Sequence, residues 1–411
     1  MGWLSVSLLF PLAAARGQDA LYNALSFDNA TAAQANQFAL QPDQPHLGPV
    51  QLALGVYANA GYDDNINQAQ TGAQSDVILR GGANLGFTWP ATDRSALQFG
   101  TGIGYVHYLK YKSNNGLEIS PDSVLSYAVS VKDATFSAFD QFSVTRQVTT
   151  EAALANQATL PRFENSVGVR SEWDPDQWTF LASYSHNNEF SDQANDYLNS
   201  SSEYFFGRAG WYFAEATQAG LEASGGWTVY QVPGQGDNDN VSVGGYIDWR
   251  VRPSTHLVMR GGPTYYRFYS QGPTGANSSL SSYYVSLEAS QQLTDFLSNQ
   301  LSVDRSVNAG ISRGSSYVEE LAASESLSWV LTQHITVGPS LTYENGHQPF
   351  GVFPLLFTEN YQRYGGGLSL GWKFTDHLSG NVSYSYWLRD SNLANRGYSE
   401  NSVQAGLNYT F

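Results

Sequence analysis

The chain has 411 residues, with 36 Asp and Glu against 20 Lys and Arg, a formal net charge of −16. Charged residues make up only 14% and aromatic residues another 14%, against about 25% charged in soluble domains, which excludes both a string of ordinary soluble domains and a disordered chain. The acidic balance without a basic cluster excludes nucleic-acid binding, and the absence of cysteine removes disulfides, thiolate metal sites and a thiol nucleophile.

Residues 1–17 read as a secretory signal: an apolar run from Trp3 to Ala15, then Ala15-Arg16-Gly17 as a small-x-small cleavage pattern. Residues 18–48, rich in Ala, Gln and Asn, are expected to form an N-terminal periplasmic or lumenal segment. Beyond residue 17 no stretch approaches the ~20 apolar residues of a membrane helix.

From residue 49 to 411 one pattern dominates. Val77, Leu79, Gly81, Ala83, Leu85, Phe87 and Trp89 share one parity, while Ile78, Arg80, Gly82, Asn84, Gly86 and Thr88 share the other. Period two is the signature of a strand with one greasy and one polar face. Eighteen such segments are predicted, near 49–62, 75–89, 95–109, 122–132, 135–148, 163–173, 177–189, 202–213, 217–231, 241–251, 255–269, 282–293, 296–307, 318–331, 334–345, 360–374, 377–389 and 400–411. In the fifth and fourteenth, Asp140 and Glu325 fall on the greasy parity, and a bulge or changed register is expected there.

Every second connection is a tight turn, as in Leu293-Thr294-Asp295-Phe296, Leu331-Thr332-Gln333-His334 and Phe374-Thr375-Asp376-His377. The others are longer and polar. Short turns at one end and long loops at the other fit a closed antiparallel transmembrane β-barrel of about 18 strands, within a range of 16–20, with the short turns periplasmic and the long loops extracellular. Trp89, Trp173, Trp211, Trp249, Trp329 and Trp372 all stand on the greasy parity just before a short turn, and Trp178 just after one. Indoles at one depth form a membrane-interface girdle. On the polar parity, Arg80, Arg170, Arg208, Glu222, Asp248, Arg250, Arg260, Glu288 and Lys373 are expected to line the pore; with Lys132, Glu164, Glu172, Asp304 and Glu344 on the same parity, bases and acids there are matched in number. Surplus acids, Glu320 and Glu359 among them, are assigned to loops.

The final segment alternates Val403, Ala405, Leu407, Tyr409 and Phe411 with polar or small residues and ends on Phe411. Tyr409-x-Phe411 resembles the assembly signal of Gram-negative outer-membrane barrels. With Gly61-Tyr62-Asp63-Asp64-Asn65 after the first strand, residues 50–411 are similar to the β-barrel porin 2 type family. The resemblance implies an outer-membrane location, contact with lipid and lipopolysaccharide, and delivery by the barrel assembly machinery through the last strand.

No residue pattern marks catalysis, a metal or a cofactor; His256, His334 and His377 each begin a strand beside a short turn. The expected function is a porin-like channel for passive diffusion of small hydrophilic solutes, with homo-oligomerisation open. The alternative is a barrel component of exopolysaccharide export or assembly. The apolar stretch 346–359 is expected to fold into the barrel as a constriction, the alternative being that it extends the barrel wall above the membrane.

Overall fold

The structure is a computed structural model that describes residues 45–148, 151–192, 194–232, 236–269, 278–352 and 355–411. The expected leader 1–17 and nearly all of the segment 18–48 lie outside the described residues.

In chain order the strands are β1 (His46–Leu47), β2 (Val50–Asp63), β3 (Asp76–Thr92), β4 (Ser95–Tyr108), β5 (Gly116–Ile119), β6 (Val124–Val131), β7 (Ala134–Thr145), β8 (Arg162–Trp173), β9 (Trp178–Ser191) and β10 (Ser200–Ala214). They continue with β11 (Thr217–Tyr230), β12 (Asn238–Arg252), β13 (Thr255–Phe268), β14 (Ser278–Thr294), β15 (Leu297–Ala309), β16 (Tyr317–Val330), β17 (Ile335–Val352), β18 (Leu355–Lys373), β19 (Leu378–Ser391) and β20 (Tyr398–Thr410). Each long strand pairs antiparallel with its chain neighbour, and β2 pairs with β20 from Gly55↔Thr410 to Asp63↔Ser402. That last ladder closes the sheet. Omitting the short β1 and β5 leaves eighteen wall strands, one for each predicted segment. Closure leaves no edge on which backbone N–H and C=O groups stand unpaired.

The short turns show why their residues recur. Thr332 Oγ1 accepts from Ile335 N at 3.1 Å, Thr375 Oγ1 from Leu378 N at 2.9 Å, and Thr294 Oγ1 from Phe296 N at 3.2 Å. The hydroxyl stands in for a backbone acceptor in the turn. Register shifts at Pro90/Thr92, Tyr212/Ala214, Arg250/Arg252 and Gln292/Thr294 place β-bulges at this same end, where extra twist helps the wall curve.

Three expectations change. Asp140 and Glu325 sit in ladders with no register shift: Leu125↔Asp140↔Val167 and Leu301↔Glu325↔Leu341. Both therefore project outward as the period dictates, with no bulge to turn them in. The stretch 346–359 does not form an inward loop either. Strands β17 and β18 stay paired from Ile335↔Trp372 out to Val352↔Leu355, so the wall itself runs far past its neighbours. Lastly, Gly116–Ile119, read as loop, pairs with β4 above β6, so one wall position is built from two pieces joined at Ser120–Ser123.

Candidate functional site

Alternation assigns the two faces. The seven girdle tryptophans share the outer parity and are 41–51% exposed, with no packed core over them. Their rings touch neighbours along the wall, as in Trp178–Trp211 at 6.3 Å, Trp173–Phe180 at 5.3 Å and Trp372–Phe374 at 5.6 Å. Trp211 Nε1 donates to Gln177 in the adjacent turn, so ring and N–H meet different surroundings. At the long-loop end a second set of exposed aromatics, including Tyr62, Tyr105, Trp227, Tyr265, Tyr283 and Tyr364, stands on the same parity. This second ring was legible in the alternation but is less regular, because the long-loop strand ends are staggered.

The opposite parity gathers the charges. Glu222 on β11 meets Arg208 of β10 at 3.1 Å and Arg260 of β13 at 3.6 Å, and accepts from the Tyr284 hydroxyl of β14 at 2.9 Å. Side chains from four strands converge this way only on the concave inner surface. Arg208 also lies over the rings of Tyr246 and Phe206. Arg80 stands 3.9 Å from Glu118, Arg170 bonds Glu172 at 2.9 Å, and Asp248 meets His256 at 2.7 Å. Arg250 and Glu288 are exposed on this parity. Lys373 pairs with Asp376 at 2.9 Å at the short-turn rim. Inner tyrosines lie flat on glycine floors: a Cβ on Gly210 or Gly244 would meet the hydroxyl of Tyr246 or Tyr284. Flat rings keep bulk off the axis.

At the long-loop end the loop between β7 and β8 enters the barrel. Its Val148, Leu154 and Leu160 are buried with Tyr197 and Leu198 of the next loop, while Ala152 and Ala153 pack on Val318 and Tyr361 of the inner wall. Ala153 O accepts from Arg396 Nη2 at 2.7 Å, Ser312 Oγ at 3.1 Å and Gln348 Nε2 at 3.3 Å; Ala152 O accepts from Arg389 Nε at 2.8 Å. Counted back through the closing ladder, β19 with its Arg389 is six wall positions of eighteen from β7. The loop thus spans a chord of the mouth. Burial pushes the Tyr197 hydroxyl up to about 12, which keeps it a donor to Ile311 O at 3.1 Å.

The clamp around this loop centres on Glu359. Its carboxylate is fully buried and accepts from Arg396 Nε at 2.7 Å, Arg389 Nη2 at 2.9 Å, Ser391 Oγ at 2.7 Å and Gln348 Nε2 at 2.8 Å. Below it Arg363 binds Glu344 and lies over Trp387. Glu359 and Glu320 are therefore strand residues inside the mouth, not free loop acids: the long extension of β18 carries Glu359 there, and Glu320 stands on the inner parity of β16. Sequence reasoning missed Glu151, Arg162, Arg389 and Arg396 as a group. Arg162 and Arg389 follow strand alternation, whereas Glu151, which accepts from Arg162 Nη2 at 2.9 Å, and Arg396 lie in loops, and nothing local says that these loops meet the wall.

Among solved structures the chain is similar to Pseudomonas aeruginosa OccK2 (OpdF), at 10% identity over 88% of this chain and 98% of that one, with a TM-score of 0.48. It is also similar to Acinetobacter baumannii OccAB3, at 8% identity over 88% and 99%, with a TM-score of 0.48. A third is OccK2 in complex with glucuronate, at 10% identity over 90% and 100%, with a TM-score of 0.49. No family model matches the chain, and no curated protein matches it. At that distance the neighbours decide nothing about this barrel; its own closed pairing does.

Proposed function

We propose that the protein is a porin-like channel of a Gram-negative outer membrane, admitting small hydrophilic solutes by passive diffusion. The observation that carries this reading is a closed eighteen-strand wall with aromatic and aliphatic side chains on the outside and paired charges, hydroxyls and glycines within. On β18 the aromatic rings lie eight residues apart, Tyr364 to Trp372. At a rise of ~3.3 Å and a tilt of ~40°, that is roughly 20 Å along the axis, close to the ~25 Å apolar band of such barrels. A cylinder of this strand number leaves an aqueous lumen.

Arg80, Arg170, Arg208, Glu222, Asp248, Arg250, Arg260, Glu288 and Lys373 would line the path, and the loop between β7 and β8 would narrow it. Trp89, Trp173, Trp178, Trp211, Trp249, Trp329 and Trp372 would float the barrel at the periplasmic interface. Tyr409 and Phe411, whose rings meet edge to face at 5.0 Å beside the closing ladder, would serve as the signal to the assembly machinery. Lipid and lipopolysaccharide would surround the wall. No catalytic step enters this reading.

Planar-bilayer recording of the purified protein tests it. Steady, discrete conductance steps are expected. A sealed barrel would overturn the diffusion reading in favour of an export or scaffold component.

A further inference from the structure

The ladder between β14 and β15 stops short of those beside it. It ends at Val285↔Arg305, while β13–β14 runs on to Phe268↔Ser278 and β15–β16 to Ala309↔Tyr317. The ring of strands is closed, but this seam parts over its long-loop end. Side chains stand where ladder bonds would. Arg305 Nη1 donates to the Tyr283 carbonyl of β14, and the Tyr266 hydroxyl of β13 donates to the Val307 carbonyl of β15 at 3.0 Å. Both oxygens are satisfied without the backbone across the seam.

Parity shows that the gap passes through the wall. Ser282 is inward on β14, opposite Thr264, and Glu319 is outward on β16, opposite Val307. Yet Ser282 Oγ donates to Glu319 Oε1 at 2.6 Å. Phe268, inward on β13, stacks on Tyr317, outward on β16, at 5.5 Å. Val307 is on the outer parity of β15 and is wholly buried, packed with Tyr266 and Phe268 and flanked by Leu280 and Tyr317. In an unbroken ladder the two parities face opposite sides of the sheet, so these contacts need an opening.

The opening has a charged outer side and an apolar inner lip. Tyr283 belongs to the upper aromatic ring, which sets the gap at the level of lipid headgroups. There Arg305 lies 3.9 Å over the Tyr283 ring and meets Glu319 at 3.2 Å, each side chain 23% exposed. From Val285 to Leu280 the gap climbs ~13 Å at the usual rise and tilt. Its inner lip, Tyr266, Phe268, Val307 and Leu280, is apolar in a wall that elsewhere presents mainly hydroxyls, glycines and paired charges. This lining suits a molecule with one polar head and one hydrocarbon tail. The head exchanges with the Arg305–Glu319 pair, and the tail leaves water for the rings and then for the acyl chains. Just past β15, Ile311 packs against the loop seated across the mouth and accepts from Tyr197. The side opening thus adjoins the place where the axial path narrows.

We propose that the seam between β14 and β15 is a lateral portal, held shut by Arg305 and Glu319, through which a single-chain amphiphile passes between the lumen and the outer leaflet. The inference rests on the proposed outer-membrane channel.

The chain has no cysteine, so one engineered pair reports cleanly. Ser281 and Ala309 would face each other if the ladder ran on from Val285↔Arg305. A disulfide between Ser281→Cys and Ala309→Cys would hold their Cα atoms ~4.4–6.8 Å apart, the spacing of a closed ladder. Laurate is the probe, added to planar bilayers that contain the full-length protein, and transient block of the current is the readout. Block is expected with the reduced pair, lost on oxidation and restored by dithiothreitol, at unchanged baseline conductance. Glu319→Gln, which unpairs Arg305, should raise the frequency of block about fivefold, the scale of a partly exposed ion pair. Block indifferent to oxidation, or no more frequent in Glu319→Gln, would overturn the portal. So would a disulfide that lowers the baseline current, because laurate would then share the axial path. Steady channels that laurate never blocks sink only the portal, whereas a barrel that never conducts sinks the channel reading and the portal together.

Discussion

Replacing Glu359 by Ala should free the loop between β7 and β8. The carboxylate is fully buried and holds Arg389 and Arg396, and those two guanidinium groups in turn hold the carbonyls of Ala152 and Ala153. Breaking a buried ion pair by removing one partner costs ~3–5 kcal/mol. Arg396 keeps some solvent access, with 11% of its side chain exposed, so part of that cost relaxes. The bonds share one acceptor and do not add. About 3 kcal/mol remains, which is roughly a hundredfold in the equilibrium between seated and released loop. Single-channel recording should then show longer or larger open levels with added noise, and limited proteolysis should cut within 146–161 only in the variant. Glu359→Gln, retaining an acceptor oxygen, should fall between. An unchanged conductance together with an uncut loop would refute the clamp, because it would mean that the apolar seat of Leu154, Leu160 and Tyr197 holds the loop unaided.

Three further outcomes follow from the two faces. Leu368→Arg, outward and four residues from Trp372, should cost ~2–4 kcal/mol in lipid, while Ser383→Arg on the inner parity of β19 should change stability by about 0.5 kcal/mol or less; urea unfolding in vesicles compares them, and equal losses would contradict the assigned faces. Gly220→Ala drives a Cβ into the backbone oxygen of Ala209 beneath the Tyr246 ring, so a loss of ~1–3 kcal/mol is expected by the same measurement. Because inner acids and bases pair off, ion selectivity should come from loop acids such as Asp192 and Asp196. A weak cation preference in reversal potentials should fade between 0.1 and 1 M salt, as the screening length falls from ~10 Å to ~3 Å.

How much was legible follows from the range of the forces involved. Strand number, the end carrying short turns, and the parity of Trp89 through Trp372 were open to reading because each depends on period two and on residues within a turn's reach. The Thr of Thr332-Gln333-His334 bonds its own hairpin, so its role needed no distant partner. Asp140 and Glu325 look like errors of register in one dimension. Only pairing on both sides shows that the ladder runs straight and that the two acids face outward, Asp140 bonded by Asn165 and Glu325 without a hydrogen bond or ion pair among the described residues.

The sequence alone determined that this chain forms a closed wall of about eighteen strands with opposed faces, because alternation and turn chemistry are local and a long sheet with one apolar face has few other solutions; the ladders fix the number at eighteen. The tertiary structure alone decided what fills the mouth. The apolar stretch 346–359 was the obvious candidate, yet it extends a hairpin whose backbone is satisfied in place. The loop between β7 and β8, with little in its composition to single it out, is drawn inward by Arg389, Arg396 and Gln348, residues about two hundred or more positions away in the chain that meet it only once β2 and β20 have closed the ring.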